Sequence, residues 1–118
     1  MTTVLFVEVG WGADQHGQNV TKAAVRAARN AIEFNSIPSI AKIVPGGYRN
    51  MLLRINIAAP HHDQIDKDAI TAVFPYGNII AVDLQQGGAI FDSGIAIREM
   101  GDSSSDMIVV NVAVTVGY

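Results

Sequence analysis

Thr3-Val4-Leu5-Phe6-Val7-Glu8-Val9-Gly10-Trp11-Gly12-Ala13-Asp14-Gln15-His16-Gly17-Gln18-Asn19 is the stretch on which the fold turns. Thr3–Val9 is β-branched and apolar, which favours extended backbone. It runs into a glycine-rich segment, Gly10–Gly17, read as a loop. Asn19 then offers the short side-chain oxygen that caps helix N-termini. A helix is predicted over about residues 20–34. Val20, Ala23, Ala24, Ala27, Ala28 and Ala31 give it a small apolar face, and Lys22, Arg26, Arg29 and Glu33 a polar one. Alanine on the buried face lets a helix lie close to a sheet. Strand, glycine-rich turn and helix together open an α/β domain.

Outward from this unit, residues 49–59 alternate, with Met51, Leu53, Ile55, Ile57 and Ala59 on one face and Leu52, Arg54 and Asn56 on the other. Period two marks a strand with one buried face. Pro60-His61-His62 ends it, and Asp63 is positioned to cap a short helix over about 64–74. Asn78–Leu84 reads as a strand, Gln85-Gln86-Gly87-Gly88 as a hairpin turn and residues 89–99 as extended. Gly101–Asp106 reads as a solvated loop. Met107–Val116 is the clearest strand, with Ile108, Val110, Val112, Val114 and Val116 facing one way. The order β-α-β-α-β-β-β predicts one α+β domain over residues 1–118, a two-layer sandwich of a mixed sheet with two helices on one face. The other face would carry Arg54, Asn56, Asp83, Asn111 and Thr115, with Glu8 joining them as part of an ion-pair network between subunits.

Composition narrows the function classes. Charged residues are 16% of the chain and hydrophobic residues 49%, against about 25% charged in an ordinary domain. A domain this small leaves much of its surface in water, so the excess of apolar side chains predicts a homo-oligomer. The net charge is −3 and no basic tract occurs, which argues against a nucleic-acid partner. There is no cysteine, hence no disulfide and no thiolate metal site. No apolar run approaches the ~20 residues that cross a bilayer, and the first residues lack the form of a secretion signal. The expectation is a cytoplasmic protein with no membrane contact.

Chemistry concentrates at Gly10-Trp11-Gly12-Ala13-Asp14-Gln15-His16-Gly17. A loop between strand and helix presents backbone amides and a positive helix end to a ligand. Gln15 stands where a dinucleotide fingerprint has glycine, and no Lys-Ser/Thr pair of a Walker loop follows. Gly10, Trp11, Gly12 and Gly17 are candidate binding residues, with Trp11 either stacking on a planar ligand or buried between subunits. Asp14 and His16 would give a metal one oxygen and one nitrogen. His61 and His62, also at a strand-to-helix turn, would supply a third ligand if the two strands run parallel. The candidate set is Asp14, His16, His61 and His62 around a divalent cation, zinc or manganese. His16, Asp14 and Glu8 are the catalytic candidates. The plain alternative is a tight turn in which Asp14 caps a backbone amide and His16 is a surface residue. Asp92-Ser93-Gly94 lacks the Gly-x-Ser-x-Gly elbow of a serine nucleophile.

The same segment resembles the Gly-x-Gly-x-Asp-x-His-Gly signature of a small family of conserved hypothetical proteins found in bacteria and plants, and length and element order extend the resemblance over nearly the whole chain. The opening Gly-x-Gly-x-Asp-x-His is also similar to methylerythritol cyclodiphosphate synthases. That likeness implies Asp14, His16 and one of His61 and His62 as metal ligands at a trimer interface. The chain lacks that family's His-Ser-Asp-Gly-Asp segment and its Thr-rich motif, so the cyclase reaction does not carry over. The element order further resembles the chorismate-mutase-like ring of trimeric α/β proteins. Taken together, the expectation is a metal-assisted hydrolase or lyase acting on a small polar metabolite. The alternatives are an oligomer that binds a metabolite or anion without catalysis, and a purely structural ring.

Overall fold

A computed structural model describes residues 1–118. It is an α+β fold with a mixed five-stranded sheet. Strand β1 (Val4–Asp14) and strand β5 (Asp106–Gly117) pair antiparallel, with Phe6 opposite Val116 and Asp14 opposite Ile108. Strand β2 (Leu52–Ala58) pairs antiparallel on the other side of β5, and β3 (Asn78–Gln85) lies parallel to β2 at the edge. Strand β4 (Ala89–Asp92) pairs with the first residues of β5. The sheet order is β1-β5-β2-β3 with β4 off this path.

Helix α1 (Val20–Glu33) packs across β1 and β5. Its cap is Asn19, whose side-chain oxygen accepts from the Lys22 amide at 3.0 Å. Val20 and the five alanines of its apolar face are all buried, as their spacing predicts. Val20, Ala23, Ala24, Ala27 and Ala31 join Ile108, Val110, Val112, Val114 and Val116 of β5 and Leu53, Ile55 and Ile57 of β2 in one apolar core.

The glycines of the motif explain why α1 lies so close. Contrary to expectation, Gly10 and Gly12 are not in a loop; β1 runs through them to Asp14. Both are buried beneath α1. A Cβ on Gly10 would sit 2.5 Å from the Ala27 carbonyl oxygen, and one on Gly12 would overlap the backbone of Ala23, Arg26 and Ala27. Glycine on the strand and alanine on the helix thus form one contact surface.

Other elements are shorter than their sequence predicts. The second helical region is a 3-10 turn, His62–Gln64, followed by α3 (Lys67–Thr71); the short helix α2 (Ile40–Ile43) precedes both in the chain. Asp66, not Asp63, caps α3, accepting from the Asp68 amide. Only Ala89–Asp92 of the extended 89–99 stretch is strand, and it pairs with β5, so the Gln85–Gly88 turn joins strands that are not partners. No helix is long and apolar enough to cross a membrane.

Strand alternation leaves the face of β1 opposite α1 uncovered. Val7, Val9 and Trp11 lie there, Val9 and Trp11 being 72% and 62% exposed. Arg54 and Asp83 approach within 3.4 Å on the same side of the sheet. Glu8 does not join them. It shares the parity of Gly10 and Gly12, and faces Ile32 and Asn35 on the helical side.

Candidate functional site

Strands β1 and β2 are both antiparallel to β5, so they run parallel to each other and end on the same side of the sheet. That condition for bringing the two histidine clusters together is met, but the clusters stay apart. Strand β5 lies between the ends of β1 and β2, which are therefore separated by two strand spacings, about 10 Å. No three His, Cys, Asp or Glu side chains in the chain are grouped to hold a metal. Asp14, His16, His61 and His62 are thus not assembled into a ligand set within one chain. His61 is exposed, with a left-handed backbone (φ 51°), and His62 Nδ1 is enclosed without a hydrogen-bond partner.

What His16 does meet is Asp102. The loop that follows β1 is clasped by this one carboxylate. Its Oδ2 lies 2.7 Å from His16 Nδ1 and accepts from the Ile97 amide at 2.8 Å. Its Oδ1 accepts from the Gly17 amide at 2.6 Å and from Gln18 Nε2 at 3.0 Å. Gln18 reinforces the clasp, donating also to the Asp106 carbonyl at 2.8 Å and accepting from the Ser103 amide at 3.0 Å. Gly17 takes φ 104°, a region that favours glycine. The residues called a solvated loop therefore include a buried anchor, since the Asp102 side chain is 1% exposed.

The electrostatics follow from the geometry. The Ile97 amide first, then the Gly17 amide, His16 and Gln18, hold the Asp102 carboxyl well below the usual carboxylate range, against the opposing effect of its burial. An ionised carboxylate only accepts, so the proton at their contact is on His16 Nδ1. In the neutral ring Nε2 then carries the lone pair, and it makes no hydrogen bond. The amides expected to hold a ligand are occupied by the chain's own acids: Gly17 by Asp102, and Asn19, at 2.8 Å, by Asp14. Asp14 is buried and its second oxygen lies 3.6 Å from Arg26 Nη1.

The His16 ring, its side chain 20% exposed, borders a cleft of about 520 Å3 together with Trp11, Asp14, Lys22, Arg26 and Met100. Trp11 and Lys22 bring an aromatic surface and a cation with no ion-pair partner. Arg26 donates to the Ala13 carbonyl at 2.8 Å, which holds its guanidinium at the rim. Glu8 is not part of this cleft. Six residues back along β1, it stands about 20 Å away by strand rise and borders a different cavity.

The sequence pointed to His16 but missed its partners Asp102 and Gln18. Nothing local marks them, because the bonds from the motif loop to Asp102 span 84 to 86 residues.

Sheet, helix and clasped loop define a small α+β protein with a histidine–aspartate pair beside a cationic cleft. The chain belongs to the conserved hypothetical protein family Lin0512_fam, which it matches over residues 4–116. It is similar to an FtsZ-like protein of unknown function from Nostoc punctiforme, known from a crystal structure, at 36% identity and a TM-score of 0.88, covering 97% of this chain and 93% of that one. No curated protein matches.

Proposed function

We propose that the cleft beside His16 binds a small anionic metabolite and that His16 acts there as a general acid–base, in a reaction of the hydrolase or lyase class. The observation that carries this is the 2.7 Å contact between His16 Nδ1 and buried Asp102. Asp102 fixes the ring's tautomer and orientation, and its charge stabilises the imidazolium formed when Nε2 accepts a proton from substrate or water. Lys22 supports the anionic substrate. It lies in the first turn of α1, which holds no acidic residue, at the positive end of the helix dipole. A cation is disfavoured there unless an anion joins it. Trp11 at the rim offers a stacking surface for a planar substrate.

The chemistry of the donors does not favour the metal expected from sequence. His16 Nε2 is open to a cation, but both Asp14 oxygens already have partners and no group of three ligating side chains forms within the chain. Zinc or manganese at this point would need ligands from a neighbouring chain.

Calorimetric and thermal-shift screening of small carboxylates and phosphate esters tests the reading. A hit is expected to bind wild type, to bind Lys22→Met at least tenfold more weakly, and to bind His16→Gln with little change. Turnover of that hit in His16→Gln is expected to fall by about 10²–10⁴. Binding without turnover in wild type would favour the non-catalytic, anion-binding oligomer. Stoichiometric zinc or manganese that disappears in His16→Ala would place a metal at the centre instead.

A further inference from the structure

At the other end of β1 lies a second cavity, of about 440 Å3, within the size range of small-molecule sites. It lies between β1, the C-terminal end of α1 and the segments flanking β2 and β3. Eleven of its sixteen lining residues are hydrophobic, so an organic ligand there would bury apolar surface against them. Phe6, Ile32, Ile37, Leu53 and Phe74 supply that lining. Tyr48 and Tyr76 stack with ring centroids 5.2 Å apart, adding two aromatic faces.

Glu8 is the only acidic or basic side chain among these residues, the tyrosine phenols aside. Asn35 Nδ2 donates to Glu8 Oε2 at 2.5 Å and also to the Ala31 carbonyl, which fixes the carboxyl in place. Oε1 takes no hydrogen bond, and no cation pairs with Glu8. Burial pushes the Glu8 carboxyl up, with Asn35 opposing, as expected for a carboxylate short of positive partners. A lone carboxylate among apolar and aromatic walls is the complement of a cation carried on an apolar body.

We propose that this cavity is a second binding site, for a small primary amine with an aromatic or aliphatic body, whose ammonium pairs with Glu8 while its body lies among Phe6, Ile32, Leu53 and Phe74. The site shares no lining residue with the His16 cleft and stands or falls independently of it.

Three probes that share a phenyl body and differ in the charge of the polar end decide the matter: phenethylamine, 2-phenylethanol and phenylacetate, titrated into the purified protein and followed by calorimetry and amide chemical shifts. The amine is expected to bind at least tenfold more tightly than the alcohol, with phenylacetate weakest and the shifts centred on Phe6, Leu53 and Tyr76. Glu8→Gln keeps the contact to Asn35 and should reduce the amine to the affinity of the alcohol. Ile37→Trp, which adds bulk at another lining residue and leaves the Glu8 carboxyl in the chain, should weaken all three. Equal affinities for the three probes, no binding by any, or shifts centred on His16 would overturn the proposal. The ranking on wild type decides even if both variants fold poorly.

Discussion

At the scale of single residues, Asp102 carries the site. It neutralises nothing at the surface; it spends its four acceptor positions on two amides, one amide side chain and one imidazole. Asp102→Asn puts an NH2 group where donors already converge, so the loop of residues 15–19 should loosen, Tm should fall, and turnover should fall with the loss of the fixed tautomer. The pH dependence has a definite sign. The folded carboxyl lies below the ordinary range, while the unfolded one titrates near ~3.9. The stabilisation from Asp102 is therefore fully present above about pH 5 and is lost only as pH falls below about 4, toward the folded value. Denaturant melts of wild type and Asp102→Asn should show a gap that does not shrink from pH 8 to 5 and closes in acid. A gap that already shrinks between pH 7 and 5 would contradict the assignment of Asp102 as the ionised partner. Nothing short-range could have revealed this residue: Gly101-Asp102-Ser103 has the composition of any polar loop, and an aspartate at a solvated turn and one buried beneath a histidine look alike in sequence.

Among the elements, the contact between β1 and α1 governs how the cleft is placed. Gly10 and Gly12 lie one i, i+2 step apart on the strand and face Ala23, Ala27 and Ala31 on the helix. Gly12→Ala drives a methyl into helix backbone rather than into a movable side chain. The expected cost is about 1–3 kcal/mol, the range for overpacking a tight core, read as a lower urea midpoint. An unchanged midpoint would show that the helix backbone does not lie against Gly12. The helix and the long strands were legible because each buries one face, which writes its period into the sequence: five alanines at helical spacing, five branched residues on alternate positions of β5. The function of the two glycines was not legible. Glycine before a helix signals a flexible loop and close packing equally well, and only the path of β1 separates them. The helix predicted at 64–74 shrank because few of its residues find a core: Ile65 and Ile70 are buried, and Asp66, Lys67 and Asp68 between them are polar and exposed.

At the scale of the whole molecule, the shape departs from that of a compact domain. The radius of gyration is 15.8 Å with extents of 51 × 24 × 19 Å, against about 13.5 Å for a compact chain of this length. Val7, Val9, Trp11 and Phe91 are each more than half exposed. Pairing with β5 places Phe91, through Met107, on the same side of the sheet as Trp11. An elongated body with an apolar sheet face fits subunits that pack face to face, the homo-oligomer expected from composition; a trimer, or a multiple of one, is what the resemblance to trimeric α/β rings implies. Light scattering should return a multiple of the single-chain mass. Val9→Lys, at an exposed position outside the core, should lower that mass while the fold survives. A wild-type protein of single-chain mass would refute the assembly.

The order of the sheet also bears on how the protein is made. Strand β5 is the last element in the chain, yet it lies between β1 and β2. When the ribosome has delivered residues 1–105, β1 has no partner and only the parallel β2–β3 pair is available. Strand β1 therefore waits without a strand partner, with only α1 to pack on, until β5 enters between two earlier strands. A product cut short before that segment loses the whole antiparallel core rather than one strand, which makes such fragments natural clients for chaperones and early targets for proteolysis.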